Sequence, residues 1–349
     1  MSDKNISAKA QTPEGAHPSL AESAEPIPEE KAYFAYDGEG NPLLSIYLKS
    51  ILLTILSFGI YKFWADVAAR KFHYQHTTFT HGRFDYHATG LERFKGFLKG
   101  IFFLSPLIGV SVSLYFILKQ HMDVEDALIF AIYSFSFLFL FIKPLVIVGG
   151  RRFALARTSW NNLRFRFDGK VGELYKIYLV GILLIIITLG VYGAWHFVRV
   201  YKFKARHTKI GQHHFDYDGD GGDVLGIWVL GHLLIYVTVG IYLPWYIVKI
   251  YNYHLKRTTF QGARFYSTLR GGALFKEGII AIFITIFTLG IGFPWAVTRI
   301  KKLYISNLNF VGDIDIAGIE ASFDHDANAF MDGIGEAGVA VEAIGEILG

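Results

Sequence analysis

Histidine is the residue type with most potential for chemistry in this chain, which holds 13 of them. His73 and His76 stand at i and i+3, on one face of a helix, and His81 follows. His213 and His214 are adjacent. A zinc site needs three or four converging ligands held by outer-shell partners. The chain offers no HExxH, no second matching cluster and no cysteine, so thiolate ligands, thiolate nucleophiles and disulfides are excluded. His76 recurs as His207, but becomes Arg157 and Arg257 at equivalent places, which reads as an interfacial or capping cation. His232 lies within an apolar run, where an ionisable group is a functional suspect; the plainer reading is a hydrogen bond across packed helices. Asp85, Asp168, Asp216 and Asp218 stand beside Arg and Lys, the pattern of cross-strand pairs. There is no Ser-His-Asp elbow, phosphate-binding glycine loop or dinucleotide fingerprint. The expectation is a protein without catalytic residues, metal or cofactor, and not an enzyme.

The elements that would position these side chains are apolar. Of 349 residues, 52% are hydrophobic and 18% charged, with 31 Phe, 20 Tyr and 6 Trp, against about 25% charged in a typical soluble domain. Nineteen uncharged residues separate Lys99 from Lys119, and 16 run from Ala127 to Ile142. The stretches Lys176–Arg199 and Asp223–Lys249 contain only His196 and His232 as titratable interruptions, and Glu277–Arg299 contains none. A spanning helix needs about 20 apolar residues, so several qualify. Residues 1–32, with Pro13, Pro18, Pro26 and Pro28, read as a disordered acidic tail without a signal peptide. Residues 318–349 read as a second acidic tail.

An internal repeat organises the middle. Trp195, Trp245 and Trp295 are 50 residues apart, as are Gly190, Gly240 and Gly290. Leu145 precedes Trp195 by 50, and Trp64 precedes Leu145 by 81, so one unit carries 31 extra residues. The spacing predicts five units over 33–317: about 33–87, 88–168, 169–218, 219–268 and 269–317. Each comprises an apolar helix, a Gly-Tyr-Pro-Trp bend, a basic amphipathic helix and an aromatic β-hairpin, with Gly82, Gly211 and Gly262 in the hairpin turns. On the amphipathic helices, Arg199, Lys202 and Arg206 share one face in the third unit, and Lys249, Asn252 and Lys256 share the equivalent face in the fourth. Such a basic stripe beside aromatic residues suits lipid headgroups rather than nucleic acid. Trp64, Trp195, Trp245 and Trp295 are expected to anchor the second helices beside the bends.

The Leu-Gly-Ile-Tyr-x-Pro-Trp pattern, followed by a basic helix, His-Thr or Arg-Thr and a Phe-rich strand, resembles the YjgN family of bacterial inner-membrane proteins, a domain of unknown function. The resemblance covers roughly residues 33–320 and departs at Phe141-Ile142-Lys143-Pro144-Leu145. It implies an integral inner-membrane location, which the several apolar runs make multi-pass, and supplies no catalytic residues.

Lys and Arg number seven in 62–99, eight in 143–176, five in 199–223 and six in 249–276, against one Lys and three acids in 119–126. The positive-inside rule therefore puts every hairpin segment and both termini on the cytoplasmic side. Four units would then be re-entrant, with arms of about 15 residues or ~22 Å. The insertion would lengthen both arms of unit two by about 15, making two full spans and gathering the hairpins into one cytoplasmic β body. Six alternating crossings are the rival arrangement. The function expected is a membrane scaffold or an anionic-lipid-interacting protein of the envelope. A transporter or channel with its site at the broken helices, where His232 would be the intramembrane polar group, and a His-dependent membrane enzyme stand as alternatives. Membrane lipid is the expected partner, nucleic acid is not, and homo-oligomerisation and any solute substrate stay open.

Overall fold

The computed structural model describes residues 34–80, 82–312, 314–315 and 318–319. Both acidic tails, apart from Gly318 and Ile319, lie outside the described residues, as do Tyr33 and His81. The elements recur in a fixed order. β1 (Phe34–Tyr36) leads into α1 (Gly40–Leu56) and α2 (Lys62–Gln75), followed by the hairpin β2 (Thr77–Phe79) and β3 (Gly82–Tyr86). Next come α3 (Gly90–Leu118), α4 (Val124–Ala156), β4 (Thr158–Trp160) and β5 (Leu163–Phe167), then α5 (Val171–Ile187), α6 (Gly193–Arg206), β6 (Thr208–Ile210) and β7 (His213–Tyr217). The described elements continue with α7 (Gly221–Val237), α8 (Leu243–Lys256), β8 (Thr258–Phe260), β9 (Ala263–Ser267), α9 (Gly271–Phe287), α10 (Phe293–Ser306) and β10 (Leu308–Val311).

All ten strands join one antiparallel sheet in sequence order. The β4–β5 turn holds Asn161 (φ 47°) and Asn162 (φ 66°) in the left-handed region, the twist that suits a tight two-residue hairpin. Gly211 and Gly262 lie in such turns with positive φ, but Gly82 does not: it is the first residue of β3, and a Cβ there would run into the Trp160 indole. Steric room, not turn geometry, requires that glycine.

The sheet curls around an aromatic core. β1, β3, β5, β7 and β9 contribute Phe34, Phe84, Phe165, Phe215 and Phe265. Opposite them in register stand Phe79, Trp160, Ile210, Phe260 and Phe310 of the even-numbered strands. All ten belong to one cluster, with Ile319 buried among them. Phe310 of the last strand reaches Phe79 of β2, with ring centroids 5.5 Å apart, so the two ends of the sheet meet around this core in a barrel-like body. Burying a large apolar side chain is worth ~1.5–3 kcal/mol, enough collectively to hold strands of three to five residues that no isolated hairpin could keep. The charges of the same strands face outward and pair: Arg83 with Asp37 at 2.7 Å, Arg264 with Asp218 at 3.0 Å, and Lys209 with Asp168 at 3.7 Å.

The helices form a ring of five antiparallel pairs. Each second helix packs on the first helix of the next pair, and α10 packs back on α1 and β1. Trp64, Trp195 and Trp245 lie against Gly90, Gly221 and Gly271 of the following pair, and Trp295 closes the ring against Gly40; a Cβ at any of these glycines would overlap the indole. At the equivalent step after α4, Leu145 stands in place of Trp and Val171 in place of Gly. The 31 extra residues are all helix. α3 has 29 residues where the other first helices have 17, and α4 has 33 where the other second helices have 14. The insertion is shared as 12 and 19, not evenly, because α4 runs unbroken through Pro144, the register at which α8 and α10 begin with Pro244 and Pro294.

Candidate membrane-facing site

At the end of the ring away from the sheet, α1, α5, α7 and α9 terminate in one motif. In the third pair the Gly190 N–H donates to Ile185 O (2.8 Å) and the Leu189 N–H to Ile186 O (3.2 Å), the pattern of a Schellman C-cap. Thr188 clamps the turn: its Oγ1 donates to Leu184 O at 2.7 Å and accepts from the Tyr192 N–H at 2.9 Å. Thr238 and Thr288 repeat the arrangement. These threonines are therefore turn clamps, committed to backbone.

The residue before each glycine is unusual. Phe58, Leu189, Val239 and Leu289 hold φ of 49–52°, a region costly to side chains with a Cβ, above all a β-branched one. They are also 97, 94, 91 and 94% exposed. Gly59, Gly190, Gly240 and Gly290 follow with φ of 88–94°. Four bare apolar side chains thus project from strained backbone at one end of the molecule. The flanks of the short first helices and most of α3 and α4 also expose Leu, Ile and Phe. α3 and α4 are long and apolar enough to cross a membrane.

Behind the tips, Tyr61, Tyr192 and Tyr242 stack on Trp64, Trp195 and Trp245 with interplanar angles of 9–13°. The basic stripe runs from there toward the sheet. Arg199 lies over the Tyr192 ring, and Lys249 Nζ donates to Tyr242 Oη at 3.0 Å. Arg206 pairs with Asp216 of β7 at 2.8 Å, and the Tyr217 backbone N–H first, then this Arg206 contact, hold the Asp216 carboxyl below its ordinary range against the opposing effect of burial. Arg199, Arg206, Lys249 and Lys256 are exposed and Lys202 half-buried.

The histidines disperse. His232 Nδ1 bonds its own helix at Trp228 O (2.7 Å) and its ring meets Tyr246. His76 and His207 bond Phe72 O and Phe203 O, one turn back, and His214 bonds Arg206 O. Among the described residues no three His, Asp or Glu side chains gather into a metal-sized cluster. Two pairs went unrecognised in the sequence. Tyr36 Oη and His73 Nδ1 share a hydrogen bond of 2.7 Å, and Tyr217 Oη and His254 Nδ1 one of 2.8 Å; their common spacing of 37 residues was the available signal. Burial pushes both imidazoles down to about 4, with Lys301 adding to the effect at His73. Lys204 and Lys301 are also held below the usual lysine range, by burial and then by Arg151 and Arg70 respectively.

A family profile described as a bacterial protein of unknown function (DUF898) matches residues 31–231, 212–283 and 229–337. The chain belongs to this family. Among curated proteins it is 29% identical over 135 residues to the inner membrane protein YjgN of Escherichia coli O157:H7, covering 39% of this chain and 31% of that protein. It is 32% identical over 136 residues to the protein of the same name from Salmonella typhimurium (strain LT2), covering 38% and 30%. The chain thus aligns with about a third of the length of these relatives. No solved structure matches it.

Proposed function

We propose that this DUF898 protein is a multi-pass inner-membrane scaffold that engages anionic lipid headgroups. α3 and α4, about 44 and 50 Å long at 1.5 Å per residue, cross a hydrocarbon layer of ~30 Å. The other four pairs, about 25 Å deep, dip into the same leaflet and turn back. The observation that carries this reading is the set of exposed apolar tips, Phe58, Leu189, Val239 and Leu289, held on strained backbone. In water neither the exposure nor the strain would be repaid; in hydrocarbon the exposed side chains are solvated. One sheet built from every hairpin supports placing all hairpins on one face of the membrane, and the Lys and Arg counts make that face cytoplasmic.

The relatives' name, inner membrane protein, agrees with this location. The stripe Arg199, Lys202, Arg206, Lys249 and Lys256 then lies at the headgroup layer, each cation contributing ~1 kcal/mol toward an anionic surface. Scaffolding is favoured over solute transport because Thr188, Thr238, Thr288 and His232 are committed to backbone, which leaves the buried His196 Nδ1 and Tyr192 Oη as the polar atoms there without a hydrogen-bond partner among the described residues.

The test is co-purified lipid. Neutralising all five stripe cations to Gln is expected to cut retained anionic phospholipid by more than half with the melting temperature unchanged. Unchanged lipid in that variant, with His232→Ala abolishing a solute flux in proteoliposomes, would replace the scaffold reading by transport.

A further inference from the structure

The α3–α4 pair departs from the other four at one place. Where the other first helices bury Leu43, Leu174, Val224 and Leu274, α3 carries Arg93. Gly96 stands where α1, α5 and α7 have Ile46, Ile177 and Ile227, and α9 has Glu277. On α4, Gly149-Gly150 replaces Arg199-Val200, Lys249-Ile250 and Arg299-Ile300 of α6, α8 and α10. In the α5–α6 pair the His196 ring fills the space over Gly181, and in α7–α8 the Tyr246 ring fills that over Gly231. The equivalent residues of α3–α4 are Gly100 and Val146, and a Cβ on Gly100 would meet nothing within 4 Å. The same is true of Gly96, Gly149 and Gly150.

These changes leave a cavity of about 490 Å³ lined by all of these glycines, within the ~300–1,000 Å³ range of small-molecule sites. Toward the sheet it presents Arg70 and Arg93, with Lys99 about two helical turns farther along α3; away from the sheet it presents Phe103, Leu104, Ile142 and Leu145. Glu92 also lines it, but that carboxylate is bound by Arg157 at 2.8 Å and accepts from the Thr89 N–H at 2.9 Å. Asp66 lies 3.6 Å from Arg93. Cations therefore dominate one end and apolar side chains the other.

We propose that this cavity holds one anionic phospholipid, its phosphate among Arg70, Arg93 and Lys99 and an acyl chain along the four glycines. The proposal rests on the membrane placement given above, which sets the sheet end of α3 and α4 at headgroup depth. A purely apolar occupant would put hydrocarbon against Arg70 and against the Arg93–Asp66 pair, where the counterparts of Arg93 are leucine and valine. A small soluble anion would leave the apolar half unfilled.

Full-length protein in mild detergent, titrated with phosphatidylglycerol or phosphatidylcholine and read by native mass spectrometry, tests the site. One phosphatidylglycerol should be retained, with phosphatidylcholine at least tenfold weaker. Gly100→Leu combined with Gly149→Leu fills the space and should weaken phosphatidylglycerol binding at least tenfold. Gly226→Leu and Gly278→Leu, which also project into open space but lie outside the cavity, should leave it unchanged, and Arg93→Gln should erase the preference between the two lipids. Unchanged phosphatidylglycerol affinity in the filled variant, or equal binding of both lipids by the natural protein, overturns the proposal. The five-Gln stripe variant keeps the two readings apart: it should lose bulk anionic lipid and keep the single tight molecule. Loss of that molecule there, but not in the filled variant, would move the lipid to the stripe and overturn the cavity site alone.

Discussion

Trp245 shows what a single residue does in this ring. Its indole lies on Gly271 of the next pair and 5.0 Å from the Phe275 ring. Trp245→Ala should remove ~3–5 kcal/mol if it behaves as in a soluble core, seen as a marked fall in melting temperature in detergent. Lys256→Gln, on an exposed face, should stay within ~0.5 kcal/mol. Equal, negligible effects would reduce the tryptophans to interfacial decoration. Their recurrence was plain in the sequence, but their partners were not: Trp64, Trp195 and Trp245 each meet a glycine of the following unit, and Trp295 meets Gly40 of the first.

His254 makes a second residue-scale prediction. Its pKa falls from 6.5 to about 4 through burial, and Tyr201 stacks on it at 3.8 Å. Between those values the unfolded state binds more protons than the folded one, so stability rises with pH across the window and is lost on acidification. The loss should be on the order of 3 kcal/mol at full protonation, and melting curves of His254→Gln from pH 6.5 to 4 should be correspondingly flatter than those of the natural protein.

At the scale of elements, the four short pairs are defined by their tips. Val239 holds φ 49° while 91% exposed, so Val239→Gly should relieve ~1–2 kcal/mol of backbone strain and raise the melting temperature in detergent. A spin label at Val239→Cys in liposomes should be accessible to oxygen and shielded from a polar nickel reagent, whereas one at Thr268→Cys should show the reverse. Polar access at Val239 would mean that the pairs do not enter the bilayer. The bends were legible because glycine recurs every 50 residues; the strain was not, because it falls on the apolar residue before the glycine. The unequal lengthening of α3 and α4 was also hidden, since an insertion count says nothing about how two helices divide it.

Among the described residues the molecule is a ring of helix pairs over a single ten-stranded sheet. The repeat announced an aromatic hairpin in each unit, but not that the aromatic residues of all the described strands share one core. Ring closure was invisible, because it depends on Trp295 meeting Gly40, 255 residues apart in sequence. The candidate site was only half legible: the basic stripe stood out by its spacing, but the cavity beside Arg93 arises from departures from the repeat, which a search for recurrence passes over.

The central claim is that every hairpin lies on the cytoplasmic face. The chain has no cysteine, so single cysteines report cleanly. Arg166→Cys, His214→Cys and Thr268→Cys, all at exposed positions of successive hairpins, should resist an impermeant maleimide added to intact spheroplasts and react after lysis. His121→Cys in the turn between α3 and α4 should react in both. Labelling of His214→Cys in intact spheroplasts, with Arg166→Cys and Thr268→Cys protected, would contradict the one-sided sheet and require alternating crossings.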